Sequence, residues 1–267
     1  MSSFLEGLDV TKKKKIVFPE GRNDVIKRAV EESKDVIDAV LLEGDDALEK
    51  ACKMVGSGEV DTMVAGIDYT SRDVILTARD YVGMRDQTFS ASFVIELPNG
   101  KVYVLADCAA CQNPNSEQLA EIVFQSVEAH KAISKDRARV ACLSFSTFGS
   151  GGDKNESILK IREAIKIVRK RDPELCIDGE MQLDAAVDKK IGKKKAPESS
   201  VAGQANVLIC PDLNTGNILY KSMEQFAGGH AYGPLLQGFN KPISDLSRGS
   251  TFEDVMGVIR ISALRAE

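Results

Sequence analysis

Short apolar runs rich in β-branched residues alternate along this chain with stretches that have the periodicity of amphipathic helices. In the first third, this alternation predicts three strand–helix pairs: residues 16–19 with 24–33, 40–42 with 46–55, and 60–66 with 71–81. A helix that connects two strands of one sheet returns the chain to the edge where the first strand began, so the strands run parallel. The pattern therefore predicts an α/β fold with mainly parallel sheets.

A different pattern begins after residue 84. Two apolar runs, 88–96 and 101–106, flank Asn99 and Gly100, and an Asn-Gly pair favours a β-hairpin because both residues tolerate a positive φ. Strands are then predicted at 140–146, 175–180, 206–210 and 234–238, and helices at 116–133, 156–169, 217–226 and 252–266. Residues 189–200 carry five lysines and are predicted to form a solvated loop.

The hairpin also suggests how the chain divides into domains. Antiparallel pairs usually lie at the edge of such sheets, so we expect the hairpin to open a second domain and the last helix to return to the first. The predicted domains are residues 1–84 with 244–267, and residues 85–243.

The overall charge argues against nucleic acid as a partner. The chain has 40 acidic and 35 basic residues and a net charge of −5, so an anionic ligand would have to be bound by a local basic group. No apolar run approaches the roughly 20 residues of a membrane span, and the first 15 residues do not have the order of a secretory signal. These features predict a cytoplasmic protein that binds neither nucleic acid nor membranes.

The six cysteines lie mostly in apolar runs, which favours reduced, buried thiols. Cys108 and Cys111 have the spacing of a redox or zinc pair. No second such pair or suitably spaced histidine accompanies them, so buried small residues are the better interpretation and no metal site is predicted.

Three polar segments follow predicted strands, where open α/β sheets place their ligand sites. The candidate side chains are Ser144, Ser146, Thr147, Gly149 and Ser150 in segment 144–152; Asp178, Glu180, Gln182 and Asp184 in segment 178–186; and Asn214, Thr215 and Asn217 in segment 211–217. The last two segments could line a ligand crevice or only cap the helices that follow. Segment 144–152 could hold a phosphate, but it lacks the spacing of a P-loop or a dinucleotide fingerprint, which favours a flexible loop.

Thr70, Ser71 and Arg72 open a predicted helix. Hydroxyls and an arginine at a helix start suit a phosphate, but the same residues also suit a capped surface helix. Both interpretations stay open on the residues alone.

The densest chemistry lies in residues 241–249 and at Asp254. Ser247 and Arg248 bring a hydroxyl and a guanidinium close to the carboxylate of Asp254, where a strand-and-loop run gives way to a helical pattern. Such a group can hold an anion, donate to a developing negative charge and accept a proton, which are the needs of acyl transfer to or from phosphate.

Together these segments resemble the phosphate acetyltransferase/phosphate butyryltransferase family. The matching runs are residues 15–21, 106–109 with 113–114, 143–150, 178–186, 197 with 201–208, 211–217, 233–238 (which includes Gln237) and 241–249. The resemblance is nearly continuous from about residue 101 onwards and closest to phosphate acetyltransferases.

The resemblance implies a two-domain fold like that of isocitrate and isopropylmalate dehydrogenases, with an interdomain cleft, and a homodimer. It implies reversible acetyl transfer between coenzyme A and orthophosphate, with coenzyme A as a substrate and no tightly bound cofactor. Asp254 matches the family's base for the CoA thiol, Ser247 the hydrogen-bond donor to the reacting carbonyl, and Arg248 the arginine that binds the anionic substrate.

The N-terminal half departs from this pattern. Members of the family are longer there, and two of their arginines fall at Val25 and Leu76. Arg72, Arg79 or Arg85 could take over their role. Alternatives to acetyl transfer are transfer of a propanoyl or butyryl group, or binding of acyl-CoA or acetyl phosphate without turnover.

Overall fold

The computed structural model describes residues 2–267, which form two compact units. Unit 1 contains the residues up to 89 together with 230–267, and unit 2 contains residues 90–229. Within the described residues the strands are β1 (Lys14–Phe18), β2 (Ile37–Leu41), β3 (Thr62–Ala65), β4 (Ser90–Glu96), β5 (Val102–Ala106), β6 (Arg139–Leu143), β7 (Cys176–Met181), β8 (Val207–Ile209), β9 (His230–Gln237) and β10 (Ile243–Asp245). The helices are α1 (Ser3–Glu6), α2 (Asp24–Glu32), α3 (Ala47–Ser57), α4 (Ser71–Tyr81), α5 (Ser116–Ile133), α6 (Glu156–Arg171), α7 (Leu183–Val187), α8 (Lys189–Lys195), α9 (Leu213–Ala227) and α10 (Phe252–Arg265).

The strands of unit 1 follow the order β2-β1-β3-β10-β9. The first four strands are parallel: Met63 of β3 lies between Val17 of β1 on one side and Ile243 of β10 on the other. Strand β9 runs antiparallel to β10. The apolar side chains of β1 and β3 are fully buried, as is the inward face of α10. Each such buried aliphatic or aromatic side chain stabilises the fold by about 1.5–3 kcal/mol.

The strands of unit 2 follow the order β4-β5-β8-β6-β7. The predicted hairpin is confirmed, since β4 and β5 are antiparallel and Leu97 N–H donates to Lys101 O at 2.8 Å. Strands β5, β8, β6 and β7 are parallel. Helix α5 begins in a capping box of Asn115 and Gln118, and buries one face with α6 against this sheet.

Several elements differ from the sequence-based expectations. Helix α1, strand β10 and helix α7 were not predicted, and β9 begins at His230 rather than at residue 234. Residues 189–195 form α8 rather than part of a loop, because Asp188 caps the backbone N–H groups of Lys190 and Ile191. Helix α9 begins at Leu213, since Asp212 is its N-cap.

The compact units also divide at 89/90 and 229/230, whereas the predicted domains divided at 84/85 and 243/244. The difference has a physical reason. Strand β9 pairs with β10, and Phe239 pairs with Met84, so the chain around β9 belongs with unit 1.

Candidate functional site

The loops that follow β1, β3 and β10 lie at one edge of the unit 1 sheet, because these strands are parallel and adjacent. They contain residues 19–21, 66–70 and 246–251. Leu246 N–H donates to Ala65 O, which holds the third loop against the second. The carboxyl edge of this sheet is therefore where the Ser247 region and the start of α4 meet.

Glu20 fixes the loop after β3. Its carboxylate is buried and accepts hydrogen bonds from the backbone N–H groups of Gly66, Asp68 and Tyr69, with distances between 2.7 and 3.1 Å. Burial raises the pKa of Glu20, and the three N–H donors offset part of that rise. Glu20 thus acts as an internal anchor for residues 66–69.

Asp245, the last residue of β10, is fully buried next to this anchor. Burial raises its pKa to about 7; the Ser71 hydroxyl opposes the rise and the Glu20 charge adds to it. Gly66 has a φ of +109°, and a Cβ there would lie 2.1 Å from Asp245 Oδ1. Only glycine fits at this position, because both the backbone conformation and the space exclude a side chain.

Ser247 and Arg248 lie in the exposed turn that follows β10. Neither side chain makes a hydrogen bond or ion pair with any residue from 2 to 267. Ser250 N–H donates to Ser247 O at 2.9 Å, which closes the turn. The hydroxyl and the guanidinium are therefore both available to a ligand at this edge.

Asp254 lies in the first turn of α10 and forms a capping box with Thr251. Its Oδ2 accepts from both the backbone N–H and the hydroxyl of Thr251, each at 2.8 Å. These bonds fix the orientation of the carboxylate and leave Oδ1 without a hydrogen-bond partner in the described chain. The site thus has a carboxylate oxygen with a free lone pair.

Thr70, Ser71 and Arg72 are exposed at the start of α4. Thr70 is the N-cap, with its hydroxyl accepting from Asp73 N–H and donating to Asp73 Oδ2. Thr70 therefore caps its helix, as expected if these residues open a capped surface helix. Ser71 and Arg72 remain open to an anion at the positive end of the helix dipole.

Segment 144–152 in unit 2 is built around Glu180, which is fully buried. Glu180 Oε1 accepts from Ser146 Oγ at 2.9 Å and from Gly149 N–H at 2.7 Å, and Arg162 Nε donates to Oε2 at 2.8 Å. Burial works against ionisation of Glu180, but the Arg162 guanidinium and then the Gly149 N–H outweigh it and lower its pKa. These bonds join Ser146, Gly149 and Arg162 to one buried carboxylate.

Several of the predicted site residues of unit 2 bond to other side chains of the same unit. Glu180 and Ser146 are fully buried and hydrogen-bond to each other. Asp178 lies within β7, where it pairs with Arg169, and Asp184 pairs with Lys195 at 2.7 Å. The backbone and side chain of Gln182 hydrogen-bond to Thr147, and Ser150 Oγ accepts from Thr147 N–H. Since these side chains bond mainly to one another, they shape the segment.

Ser144, Asn214 and Thr215 line a cavity of about 640 Å³ in unit 2. Its wall also includes Phe145 and Ile218, which are 60% and 66% exposed. The remaining predicted residues lie elsewhere. Asn217 Nδ2 donates to Cys108 O at 3.4 Å, and Gln237 is buried in β9.

The thiols are free, and five of the six are buried. Burial raises the pKa of Cys52 and Cys142 to about 12 and that of Cys108 well above its ordinary value, so these thiols are poor nucleophiles. Cys111 is only partly buried. No group of three or more potential metal ligands occurs in the described part of the chain, and no helix there is long and apolar enough to cross a membrane.

Comparisons with known proteins place this geometry in a family. A family model described as phosphate acetyl/butaryl transferase matches residues 39–263. The chain belongs to this family. The phosphate acetyltransferase of Treponema pallidum is 40% identical over 229 residues, covering 83% of this chain and 68% of the relative. That of Clostridium acetobutylicum is 42% identical with the same coverage.

Solved structures agree with the phosphate acetyl/butaryl transferase assignment. A phosphotransacetylase from Streptococcus pyogenes has a TM-score of 0.90 at 31% identity, covering 100% of this chain and 99% of that one. A putative 4-hydroxythreonine-4-phosphate dehydrogenase from Salmonella typhimurium has a TM-score of 0.59 at 10% identity, covering 96% and 100%, which is a likeness of fold alone. The expected family and the dehydrogenase-like fold are both confirmed.

The structure also separates the three arginines that could replace the two family arginines that this chain lacks. Arg72 lies in the first turn of α4 and has no ion-pair partner among residues 2–267. Arg79 lies in the last turn of α4 with its Nε 3.6 Å from Asp80, and Arg85 pairs with Asp86 at 3.0 Å. Of these three arginines, Arg72 is the one at the start of α4, which follows β3 at the same sheet edge as the Ser247 turn.

Proposed function

We propose that this protein is a phosphate acetyltransferase, which transfers an acetyl group reversibly between coenzyme A and orthophosphate. The observation that carries the proposal is the arrangement at the carboxyl edge of unit 1. Ser247 and Arg248 are exposed and unpaired in the described chain, and the Asp254 carboxylate is oriented by the start of α10. Relatives at 40% and 42% identity that are named phosphate acetyltransferase support the acetyl group as the one transferred.

The proposed reaction needs a thiolate, a stabilised oxyanion and a bound phosphate. Asp254 Oδ1 takes the proton from the CoA thiol, and the sulfur then attacks the carbonyl carbon of acetyl phosphate. Ser247 donates a hydrogen bond to the carbonyl oxygen as it gains negative charge in the tetrahedral transition state. The carbon–oxygen bond to phosphate then breaks, and orthophosphate leaves as the thioester forms.

Arg248 and the start of α4 supply the positive charge that this reaction requires. Both substrates are anionic while the whole protein is negatively charged, so local cations must hold them. Arg248 binds the anionic substrate beside the thiol. Ser71 and Arg72 bind the phosphoryl group with the help of the α4 dipole.

The test is a rate measurement on the purified protein. Acetyl-CoA, propanoyl-CoA and butyryl-CoA are each incubated with phosphate, and release of the CoA thiol is followed. The proposal expects the largest kcat/KM for acetyl-CoA. A larger value for a longer acyl chain would contradict the acetyl assignment, and no thiol release with any of the three would contradict acyl transfer.

We also propose a cytoplasmic homodimer. The free, mostly buried thiols support a reducing compartment, and the homodimer is what the family resemblance implies. Sedimentation equilibrium measures the oligomeric state directly, and a mass near the 29.0 kDa of one chain would contradict the dimer.

A further inference from the structure

Helix α9 differs from the other long helices of unit 2, because only Gly216 of its 15 residues is buried. Helix α6, with 16 residues, buries five of them in the same unit. The inner side of α9 is fixed by two contacts. A Cβ at Gly216 would lie 1.9 Å from Asp107 O, and the Tyr220 ring stacks on that of Phe93 with the centroids 4.4 Å apart. These contacts hold one face of α9 on unit 2 and leave the opposite face uncovered.

The uncovered face of α9 is apolar and almost without charge. Ile218 is 66% exposed and Phe226 is 90% exposed. Phe145, which is 60% exposed, and Leu183 line the cavity of about 640 Å³ that Ile218 also borders. Of the seven exposed residues of α9 only Lys221 is charged, whereas six of the seven exposed residues of α6 are charged. Depletion of charge together with exposed aromatic side chains is typical of the core of a protein–protein interface.

The exposed row of α9 is its own complement when the helix is reversed. Ile218, Ser222 and Phe226 are four residues apart, so they form one ridge with a small side chain between two large ones. A second copy of α9, antiparallel and related by a two-fold axis at Ser222, brings Phe226 of the partner subunit opposite Ile218. The small residue at the axis lets the two helices approach closely. The Ser222 hydroxyl donates to Ile218 O at 2.7 Å, so it needs no partner from outside its own helix.

The area of this surface suits a stable dimer. A phenylalanine side chain presents about 200 Å², so Phe145 and Phe226 together expose roughly 300 Å² at the fractions given above. A standard interface buries about 800 Å² on each partner. The two rings therefore provide more than a third of that area, and Ile218, Leu183 and the rest of the exposed α9 face add to it.

We infer that a second copy of this chain binds the uncovered face of α9 together with Phe145 and Leu183. The two α9 helices pack antiparallel about a two-fold axis at Ser222, and Phe226 of the partner subunit meets the cavity at its Ile218 wall. The inference rests on the homodimer proposed above and names the surface through which it forms. It does not depend on acyl transfer.

Sedimentation equilibrium of the full chain tests this surface. The wild type should have twice the 29.0 kDa mass of one chain. Ile218→Glu and Phe226→Glu should each raise the dissociation constant of the dimer about 100-fold or more, because the two-fold axis places each new charge in the interface twice. Leu41→Glu is the matched control. Leu41 is an apolar residue of β2 in unit 1 that is 40% exposed, and its variant should associate as the wild type does.

A cysteine cross-link tests the antiparallel arrangement without adding a charge. Packed helices have axes about 8–10 Å apart and Cα atoms about 2.3 Å from each axis, so Cα atoms that face each other are about 3.5–5.5 Å apart. That distance overlaps the range of a disulfide. Ser222→Cys treated with oxidised glutathione should therefore form a covalent dimer on a non-reducing gel. Lys166→Cys, at a position of α6 that is 73% exposed, and the wild type, whose Cys111 is partly buried, should not.

The outcomes distinguish the inference from the proposals on which it builds. A wild-type mass near 29.0 kDa overturns both the homodimer and this surface. If the wild type is dimeric, glutamate variants that remain equally dimeric overturn the surface alone. A Ser222→Cys cross-link no more extensive than that of Lys166→Cys does so too. Circular dichroism shows whether the glutamate variants are folded, and the cross-link decides if they are not. Loss of thiol release from acetyl-CoA in an intact dimer would contradict the proposed reaction and leave this inference standing.

Discussion

Arg162 donates two hydrogen bonds to Glu180, one from Nε to Oε2 at 2.8 Å and one from Nη2 to Oε1 at 3.3 Å. Glu180 is fully buried, whereas the Arg162 side chain is 30% exposed. The same carboxylate accepts from Ser146 and from the Gly149 backbone. The Arg162–Glu180 ion pair thus anchors Ser146 and Gly149 of the glycine- and serine-rich segment 144–152 of unit 2.

Arg162→Met should therefore destabilise unit 2 strongly. The substitution leaves a buried carboxylate without its cation, which costs about 3–5 kcal/mol in comparable buried pairs. Urea unfolding at neutral pH measures the change. Because the folded-state pKa of Glu180 is lowered, the stability it contributes is present above its unfolded pKa and is lost as the pH falls through the folded value. The effect of Arg162→Met should therefore shrink in acid.

Lys166→Met is the matched control for this prediction. Lys166 pairs with Glu163 on the exposed face of the same helix, with the two side chains 73% and 53% exposed. Exposed pairs contribute about 0–1 kcal/mol, so this variant should unfold close to the wild type. If Arg162→Met and Lys166→Met lower the unfolding free energy by the same amount, the buried pair contributes no more than the exposed one.

Asp254→Asn should lower kcat by about 10²–10⁴-fold, the usual contribution of a general base. The asparagine carbonyl can still accept from Thr251, so α10 keeps its cap and the protein should stay folded with its CoA affinity nearly unchanged. Stopped-time thiol release gives kcat, and calorimetry gives the CoA dissociation constant. Glu253→Gln, an exposed neighbour, serves as control. A near-normal kcat in Asp254→Asn would remove this residue from the mechanism.

The regular elements were predictable because their signals are local. Helices α4 and α5 begin and end at the predicted residues, and the structure shows Thr70 and Asn115 as their N-caps. Strand β10 was not predictable, because it has only three residues. Two of them, Ser244 and Asp245, have polar side chains, which are nevertheless completely buried in the tertiary fold. Short strands of this kind depend on pairing with distant partners, here β3 and β9.

The candidate site was partly predictable for the same reason. The cluster of Ser247, Arg248 and Asp254 is visible in the sequence because the three residues are close along the chain. The role of Glu180 was not visible in the sequence, because its partner Arg162 lies 18 residues away and the sequence does not show which acidic side chains are buried. For Asp245 a signal did exist: an acid between two apolar residues, Ile243 and Leu246, that are both buried.

Ser247→Ala should lower kcat by about 10²–10³-fold, as for the loss of one donor to a developing oxyanion. Its side chain bonds to no other described residue, so the change should leave the unfolding free energy within about 0.5 kcal/mol of wild type, as for most surface substitutions. The kcat measurement and a urea titration on the same sample check both parts. A fall in kcat together with a fall in the unfolding free energy of clearly more than about 0.5 kcal/mol would indicate a structural role instead.

Arg72→Ala should raise the phosphate KM about tenfold, because it removes an unpaired cation from the start of α4. Arg79→Ala is the comparison, since Arg79 lies about 10 Å further along the same helix, at a rise of about 1.5 Å per residue, beside Asp80. The phosphate KM of Arg79→Ala should stay within about twofold of the wild-type value. A larger effect at Arg79 or Arg85 than at Arg72 would contradict the placement of the phosphate subsite.

Asp245→Asn should stabilise the folded protein at neutral pH. The folded-state pKa of Asp245 is about 7 against an ordinary value of 3.8, so the folded protein binds the proton more tightly than the unfolded chain does. The unfolding free energy of the wild type should therefore fall as the pH rises from about 4 to about 7, relative to the variant, which cannot titrate there. Each pKa unit corresponds to about 1.4 kcal/mol, so the difference at pH 7 should amount to a few kcal/mol. Urea unfolding of both proteins at a series of pH values measures this difference. Parallel stability curves would mean that Asp245 ionises in the folded protein as it does in the unfolded chain.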